Sequence, residues 1–397
     1  MTDGPLHGIR VLDLSRILAG PTATQLLGDY GADVIKVEKP GTGDDTRSWG
    51  PPFVKDADGK DTGESAYYLA ANRNKRSIAL DIATPEGAAE VKRLATTADV
   101  LVENLKVGGL AKFGLGYEDL RADLPGLIYC SITGYGQTGP NAAKPGYDLL
   151  AQGEGGIMSL TGGGAEPMKV GVAVSDVVCG LYAVTAILAA LHHRQRTGAG
   201  QWIDIGLLDT QVAWLVNQGT NYLTSGTEPP RLGNQHPNIV PYQVFAVADG
   251  HVIVAIGNDS QFARFASLIG APGLAEDARF ATNSARLAHR GTLIPLIEGL
   301  VAGIAQADLL ARMTEAKVPG GPINTLSQVF GSAQAEAREM VIEMDHAAGV
   351  PVRLIGNPVK FSATPVSYRR APPPCGADTA EIRAELAAGR AEPGESS

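Results

Sequence analysis

The 397-residue chain has few cysteines, and their placement fits neither metal binding nor disulfide bonding. Cys130, Cys179 and Cys375 lie far apart, and no C-x-x-C pair occurs. Zinc sites and disulfide frameworks need closely spaced or numerous cysteines, so the sequence argues against both. We therefore predict a cytoplasmic protein that holds no metal.

Positive charge and long apolar runs are also scarce. The chain carries 33 basic and 42 acidic residues, a net charge of −9, which disfavours binding to the phosphates of nucleic acid. The longest apolar run, residues 177–191, is shorter than the roughly 18 residues of a membrane-spanning helix. Residues 1–10 lack the pattern of a signal peptide. We predict neither a nucleic-acid nor a membrane partner, and a buried core helix at 177–191.

The first half of the chain alternates short apolar runs with amphipathic stretches, which is typical of an α/β domain with a mostly parallel sheet flanked by helices. An apolar strand is also expected directly after the basic residues 73–76. The other predicted strands are 9–14, 34–38, 100–103, 127–133 and 202–206, and the predicted helices are 21–30, 85–95, 177–196 and 207–215.

A second, smaller α/β domain is predicted from the change in composition near residue 225. Residues 225–241 are rich in Gly, Pro and Asn, and two β-runs at 244–247 and 252–256 flank Asp249-Gly250, a hairpin signal. Helical patterns follow at 261–268 and 292–304. We predict a small domain at 225–330 and a large domain formed by 1–224 and 331–397, with loose order at the end of the segment that begins at Pro372.

Asp176 is the residue with the clearest chemical potential. It stands at the start of the apolar helix, where free N–H groups and the helix dipole favour a carboxylate anion. Such a carboxylate can act as a covalent nucleophile. Aspartate is equally a favoured helix N-cap, and the local pattern leaves both roles open.

Other patterns allow a ligand without requiring one. The basic residues 73–76, with Lys36, Lys39 and Lys112, could bind an anionic ligand or form a solvated face. Glycine-rich loops at 133–136, 153–156 and 161–164 could contact a ligand or only make turns. The first strand is followed by Ala19-Gly20-Pro21 rather than a dinucleotide fingerprint, which disfavours an NAD-dependent oxidoreductase.

Taken together and in order, several motifs resemble the class III CoA-transferase family, the CaiB/BaiF family. The resemblance runs from Leu6 to about Ser367. Its motifs are LHGIRVLD at 6–13, AGP at 19–21, GADVIKVE at 31–38, NRNKRS at 72–77, VEN at 102–104, TGYG at 133–136, SD at 175–176 and GAGQ at 198–201.

The resemblance implies an acyl-CoA:carboxylate CoA-transferase in which Asp176 attacks the thioester and then carries CoA as an aspartyl thioester. It also implies an interlocked homodimer of ring-like chains, with acyl-CoA and a carboxylate as small-molecule partners. The positions expected to contact CoA, the signature residues Arg73 and Lys75 included, are Leu18, Ala19, Lys39, Arg73, Lys75, Leu80, Asn104, Leu105, Lys112, Phe113, Tyr147 and Asp148.

Substrate specificity is expected to depend on the small domain. Residues 231–237 replace the glycine run of oxalate-type members, and the sequence looks closer to members that use succinyl-CoA and small dicarboxylates. Arginine pairs with carboxylates bidentately, so Arg47 and Arg231 are candidates for the distal carboxylate, with structural roles as the alternative. The remaining substrate candidates are Gly233, Asn234 and His236.

Two alternatives within the same superfamily remain. An α-methylacyl-CoA racemase needs a histidine base, but the aligned stretch at 145–150 reads PGYDLL and contains none. A non-catalytic CoA-binding subunit would not need Asp176.

Overall fold

The computed structural model describes residues 4–388, which divide into two compact units. The larger unit comprises the described parts of Met1–Ile157, Lys169–Thr227 and Ala333–Ser397, and the smaller comprises Met158–Met168 and Glu228–Ser332. The main boundaries lie within three residues of the predicted ones. The assignment of Met158–Met168 to the smaller unit was not predicted.

The strands and helices are as follows. The strands are β1 (Arg10–Asp13), β2 (Asp33–Glu38), β3 (Phe53–Lys55), β4 (Asp61–Ser65), β5 (Lys75–Ala79), β6 (Val100–Glu103), β7 (Ile128–Thr133), β8 (Trp202–Gly206), β9 (Tyr242–Val247), β10 (Gly250–Ala255), β11 (Gly320–Pro322), β12 (Val341–Asp345) and β13 (Pro351–Ile355). The α-helices are α1 (Ala19–Asp29), α2 (Ala66–Leu69), α3 (Pro85–Ala95), α4 (Tyr117–Leu120), α5 (Asp148–Glu154), α6 (Ile157–Leu160), α7 (Val174–Thr197), α8 (Leu207–Ala213), α9 (Val216–Ser225), α10 (Asp259–Leu268), α11 (Gly273–Glu276), α12 (Asn283–Ala288), α13 (Arg290–Val301), α14 (Gln306–Glu315), α15 (Leu326–Phe330), α16 (Ala333–Ala337) and α17 (Thr379–Ala388).

A six-stranded parallel sheet organises the larger unit, in the order β5-β2-β1-β6-β7-β8. Successive side chains of each strand point to opposite faces, so Val11 packs with α1 and α7 while Leu12 packs with α3. Helices therefore cover both faces, and the predicted α/β architecture is confirmed. The predicted apolar strand starts earlier than expected, because Lys75 and Arg76 belong to β5 themselves.

Helix α7 is the core helix of the larger unit, as predicted. By length and composition it could span a membrane, but 56% of its apolar stretch is buried inside the structure. Its small residues let α1 approach closely: a Cβ on Gly180 would lie 2.7 Å from the Ala19 carbonyl oxygen. This contact places the start of α1 beside the start of α7, and so brings residues 18–19 towards Asp176.

The smaller unit contains a three-stranded antiparallel sheet in the order β11-β10-β9. The predicted hairpin is present, with Val247 paired to Gly250 across its turn. Phe245, Val254 and Phe265 belong to its core, which also includes residues of α13 and α14.

The end of the described chain is more regular than predicted. Instead of loose structure, α17 forms at Thr379–Ala388, with Ile382 buried against the large sheet's core and Arg383 bonded to Glu90. The sequence missed this helix because its few apolar residues give almost no amphipathic pattern. Residues 389–397, which the same prediction included, lie outside the described residues.

Candidate active site

A cavity of about 200 Å³ lies where four strands of the large sheet end. The segments that follow β1, β6, β7 and β8 all contribute to its wall. The carboxyl ends of parallel strands are the usual ligand-binding edge of an α/β sheet. The residues predicted to bind CoA that line this cavity are Leu18, Ala19, Asn104, Leu105, Tyr147 and Asp148, and Asp176 lines it with them.

Asp176 and Asp148 form an acidic pair at the start of α7. One carboxylate oxygen of Asp148 accepts hydrogen bonds from the backbone N–H groups of Ser175, at 2.8 Å, and Asp176, at 3.4 Å. The other accepts from the Gln152 side-chain amide at 2.7 Å. Burial, together with the neighbouring Asp148 carboxylate, raises the pKa of Asp176 to about 7.

This arrangement corrects two expectations about Asp176. The N-cap of α7 is Ala173, so Asp176 lies in the first turn and is not the cap. The helix N-terminus was expected to hold Asp176 as an anion, but Asp148 already accepts from the N–H groups there. The second carboxylate and the burial outweigh the helix dipole, and the pKa of Asp176 rises instead of falling.

The raised pKa predicts a pH-dependent stability difference between the wild type and Asp176→Asn. The folded state holds the Asp176 proton more tightly than the unfolded chain, so this group's contribution to stability is full below about pH 4. That contribution is lost as the pH rises through the folded pKa of about 7. Urea unfolding should show Asp176→Asn gaining stability relative to the wild type between pH 5 and pH 8. An equal difference at both pH values would contradict the raised pKa.

A second cavity of about 550 Å³ adjoins the first. Arg16 and Leu105 belong to the walls of both cavities. Lys39, Leu80 and Phe113, all predicted CoA contacts, line the second cavity. Lys112 is exposed next to Phe113 but is not among the residues lining either cavity.

Three residues near these cavities were missed by the sequence analysis. Arg16 follows β1 and lines both cavities, and Lys144 lines the smaller one, with its Nζ 5.8 Å from the Tyr135 ring centre. Burial, together with the charges of Asp176, Asp148 and Asp44, raises the pKa of Tyr67. Arg16 could have been found from the sequence, because it is a cation shortly before the AGP motif at 19–21. The sequence held no comparable signal for Tyr67.

The basic cluster at 73–76 is a structural element, contrary to the prediction that Arg73 and Lys75 bind CoA. Arg73 pairs with Asp29 at 2.6 Å and Lys75 with Asp13 at 3.1 Å, and all four side chains are almost completely buried. Because these cations are already neutralised inside the core, they do not present charge to a phosphate.

Arg47 is likewise committed to a buried network, so the structure does not support its predicted contact with substrate. Its guanidinium pairs with Glu38 and Glu64 at 2.7 Å each and donates to the Tyr68 hydroxyl. Only 7% of Arg47 is exposed. Arg47 therefore has the structural role that was the alternative to binding the distal carboxylate.

Replacement of Arg47 by Met is therefore expected to affect stability and leave substrate affinity unchanged. Leaving Glu38 buried without its partner should lower the free energy of unfolding by about 3–5 kcal/mol. The matched control is Asp45→Asn, which removes an exposed ion pair with Arg16 and should cost less than about 1 kcal/mol. Urea unfolding measures both changes. A stable Arg47→Met protein with a raised KM for the carboxylate substrate would restore the original prediction.

The remaining substrate candidates belong to the smaller unit. Arg231 donates to the backbone carbonyls of Gly164 and Ala165, and the Gly233 N–H donates to Gly162. Asn234 is exposed, and the His236 ring accepts from the Asn238 N–H at 3.0 Å. Their part in substrate binding stays a prediction. Within residues 4–388, no group of three or more His, Cys, Asp or Glu side chains is arranged to hold a metal.

Comparison with known proteins identifies the family. The model of CoA-transferase family III matches residues 6–379. The chain is 51% identical over 383 residues to the succinate–glutarate CoA-transferase of Agrobacterium fabrum, covering 96% of each chain. It is 44% identical to the human succinyl-CoA:glutarate CoA-transferase, over 96% of this chain and 86% of that one.

A solved structure agrees with this assignment. The crystal structure of a CaiB/BaiF family protein from Brucella suis is 51% identical and superposes with a TM-score of 0.85, covering 97% of this chain and all of that one. The fold, the acidic pair at the edge of the sheet and these matches agree. The chain belongs to CoA-transferase family III and is a class III CoA-transferase.

Proposed function

We propose that this enzyme moves CoA from succinyl-CoA to a small dicarboxylate, with glutarate as the first candidate, through a covalent thioester on Asp176. The bacterial and human relatives named for succinate and glutarate support the substrate class. The observation that carries the mechanism is the position of Asp176 in the wall of one cavity that adjoins a second, larger one.

The two cavities together suit an elongated thioester. The larger can take the adenosine end of CoA against Leu80 and Phe113, with Lys39 available for phosphate. The smaller then receives the thioester beside Asp176. Arg16, which lines both, adds positive charge where the cofactor passes from one cavity to the other.

The reaction proceeds in four covalent steps. An Asp176 oxygen attacks the thioester carbon, a C–O bond forms, the C–S bond breaks and CoA leaves as the thiolate. The thiolate attacks the Asp176 carbonyl of the resulting anhydride and expels succinate, leaving an aspartyl-CoA thioester. The acceptor carboxylate attacks this thioester and expels CoA thiolate, which leaves a mixed anhydride of Asp176 and the acceptor. The thiolate then attacks the acceptor carbonyl of that anhydride, which forms the new acyl-CoA and releases the Asp176 carboxylate. The covalent intermediates divide one difficult exchange into several easier steps.

The surroundings of Asp176 suit this chemistry. Partial burial limits access of water, which would hydrolyse the anhydride. Helix α1 has no side-chain cap, and Ala19 at its start lines the cavity, so backbone N–H groups are available for the oxyanions that develop. Asp148 fixes the first turn of α7 and therefore the position of the nucleophile.

The enzyme is further proposed to be a cytoplasmic homodimer. Large apolar side chains of the bigger unit are exposed, among them Leu149, Leu181, Tyr182 and Leu223. Burial of these side chains by a second copy would remove apolar area from water, which favours the dimer. Light scattering should give twice the mass of one chain, whereas a single-chain mass would exclude the dimer.

Initial rates with a matrix of donors and acceptors test the substrate assignment. Succinyl-CoA, acetyl-CoA and oxalyl-CoA would each be offered with glutarate, oxalate and acetate. We expect succinyl-CoA with glutarate to give the highest kcat/KM. A preference for oxalate or for a monocarboxylate would contradict the proposed substrate class, and release of free CoA without a new thioester would contradict transfer.

A further inference from the structure

The segment between β1 and α1 forms part of the wall of both cavities. Arg16 lines both, while Ile17 and Leu18 line the one that contains Asp176. The conformation of these three residues therefore affects where a ligand that spans the cavities can lie.

Ile17 holds a strained backbone conformation within this segment. Its φ is 70°, in the left-handed region that β-branched residues rarely adopt. Such a conformation persists only where surrounding contacts impose it, and it concentrates at functional sites.

A buried ion pair holds the strained segment by hydrogen bonds on both sides of Arg16. The Lys36 Nζ donates to the Ser15 carbonyl at 2.9 Å and pairs with an Asp44 carboxylate oxygen, also at 2.9 Å. Both oxygens of Asp44 accept from the Ile17 N–H at 3.2 Å. Both charged side chains are completely buried. The pair thus connects the peptide groups on either side of Arg16.

Further contacts hold the same segment. The Asn104 side chain accepts from the Arg16 N–H at 2.8 Å and donates to the Arg16 carbonyl at 2.7 Å. Asp13, paired with Lys75, accepts from the Ser15 N–H at 2.9 Å. Because a neutral pair of similar volume would fill this space without the desolvation of two charges, the ion pair is better explained by positioning than by stability.

We propose that Lys36 and Asp44 are positioning residues, which hold Ile17 in its strained conformation and thereby fix the thioester carbon relative to Asp176. The step they serve is the attack of the carboxylate on the thioester. A displacement of about 1 Å in such a geometry lowers the rate by roughly 100-fold. This inference rests on the proposed function, because its assay measures CoA transfer. The positioning role itself does not depend on which acyl group is transferred.

A double-mutant cycle between Asp44→Asn and Ile17→Gly tests the proposal. Asp44→Asn removes the ion pair with Lys36 and should lower kcat about 10- to 100-fold, with a smaller change in the KM for acyl-CoA. Glycine adopts a φ of 70° without strain, so the ion pair is no longer needed to impose this angle at residue 17. In the Ile17→Gly background the loss of kcat caused by Asp44→Asn should shrink to a third or less. Melting temperatures and CoA binding would be measured for all four proteins.

The matched control is Asp29→Asn, which breaks the buried pair with Arg73 in the same unit and contributes to neither cavity. It should lower the melting temperature but leave kcat unchanged. If Asp44→Asn does not fold, Lys36→Met takes its place in the same cycle. Equal losses of kcat in both backgrounds, or a loss in Asp29→Asn like that in Asp44→Asn, would overturn the positioning role. An inactive wild type would instead count against the proposed substrates.

Discussion

Replacing Asp176 by Asn is expected to abolish CoA transfer. The amide has nearly the same shape as the carboxylate, but it cannot attack the thioester and form the anhydride. Loss of a covalent nucleophile lowers kcat by at least about 10³-fold, and by up to 10⁶-fold where binding alone remains. Steady-state rates with succinyl-CoA and glutarate measure the effect.

The same variant should still bind CoA, because the residues of the larger cavity are unchanged. Calorimetric titration with CoA is the control, and it should give a dissociation constant within a few-fold of the wild type. Transfer by Asp176→Asn at a tenth of the wild-type rate would contradict the nucleophile and favour a mechanism in which the acceptor attacks the donor directly.

The pH profile of kcat/KM is expected to have an acidic limb near pH 7. Asp176 attacks only when ionised, and burial together with Asp148 raises its pKa to about 7. Between pH 8 and pH 5 the ionised fraction, and with it the rate of the free enzyme, should fall about 100-fold. Initial rates at low acyl-CoA concentration, over that range, measure the limb.

Asp148→Asn is the variant that tests the cause of this limb. It removes the like charge next to Asp176, while its amide oxygen can still accept from the Ser175 N–H. The limb should move to lower pH, because ionisation of Asp176 is then less opposed. A limb that stays in place would show that burial alone, or another group, sets it.

Much of the larger unit could be predicted from the sequence because its apolar periodicity agrees with its packing. The bounds of α3, β6 and β8 agree with prediction to the residue. All four residues of β6 are buried, and its apolar run therefore stands out. The short helix α17 could not be predicted, since it is held by tertiary contacts such as Arg383 with Glu90 and not by its own pattern.

The site residues could be predicted where the family resemblance named them. Predictions that relied on charge alone were less successful. Asp176, Asp148 and Tyr147 come together in one cavity, although the sequence alone could not separate a nucleophile from a cap. Arg47 and Lys75 are cations that look accessible in the sequence, yet each has a carboxylate partner 9 and 62 positions away, respectively. Such distant pairing is invisible until the sheet is assembled.

Trapping of the aspartyl intermediate tests whether Asp176 carries CoA covalently. The wild type would be incubated with succinyl-CoA without acceptor, quenched with hydroxylamine and digested, and the peptide that contains residue 176 would be weighed by mass spectrometry, with Asp176→Asn as the control. We expect a hydroxamate on Asp176 in the wild type alone. An unmodified Asp176 in an enzyme that transfers CoA under the same conditions would contradict covalent catalysis by this residue.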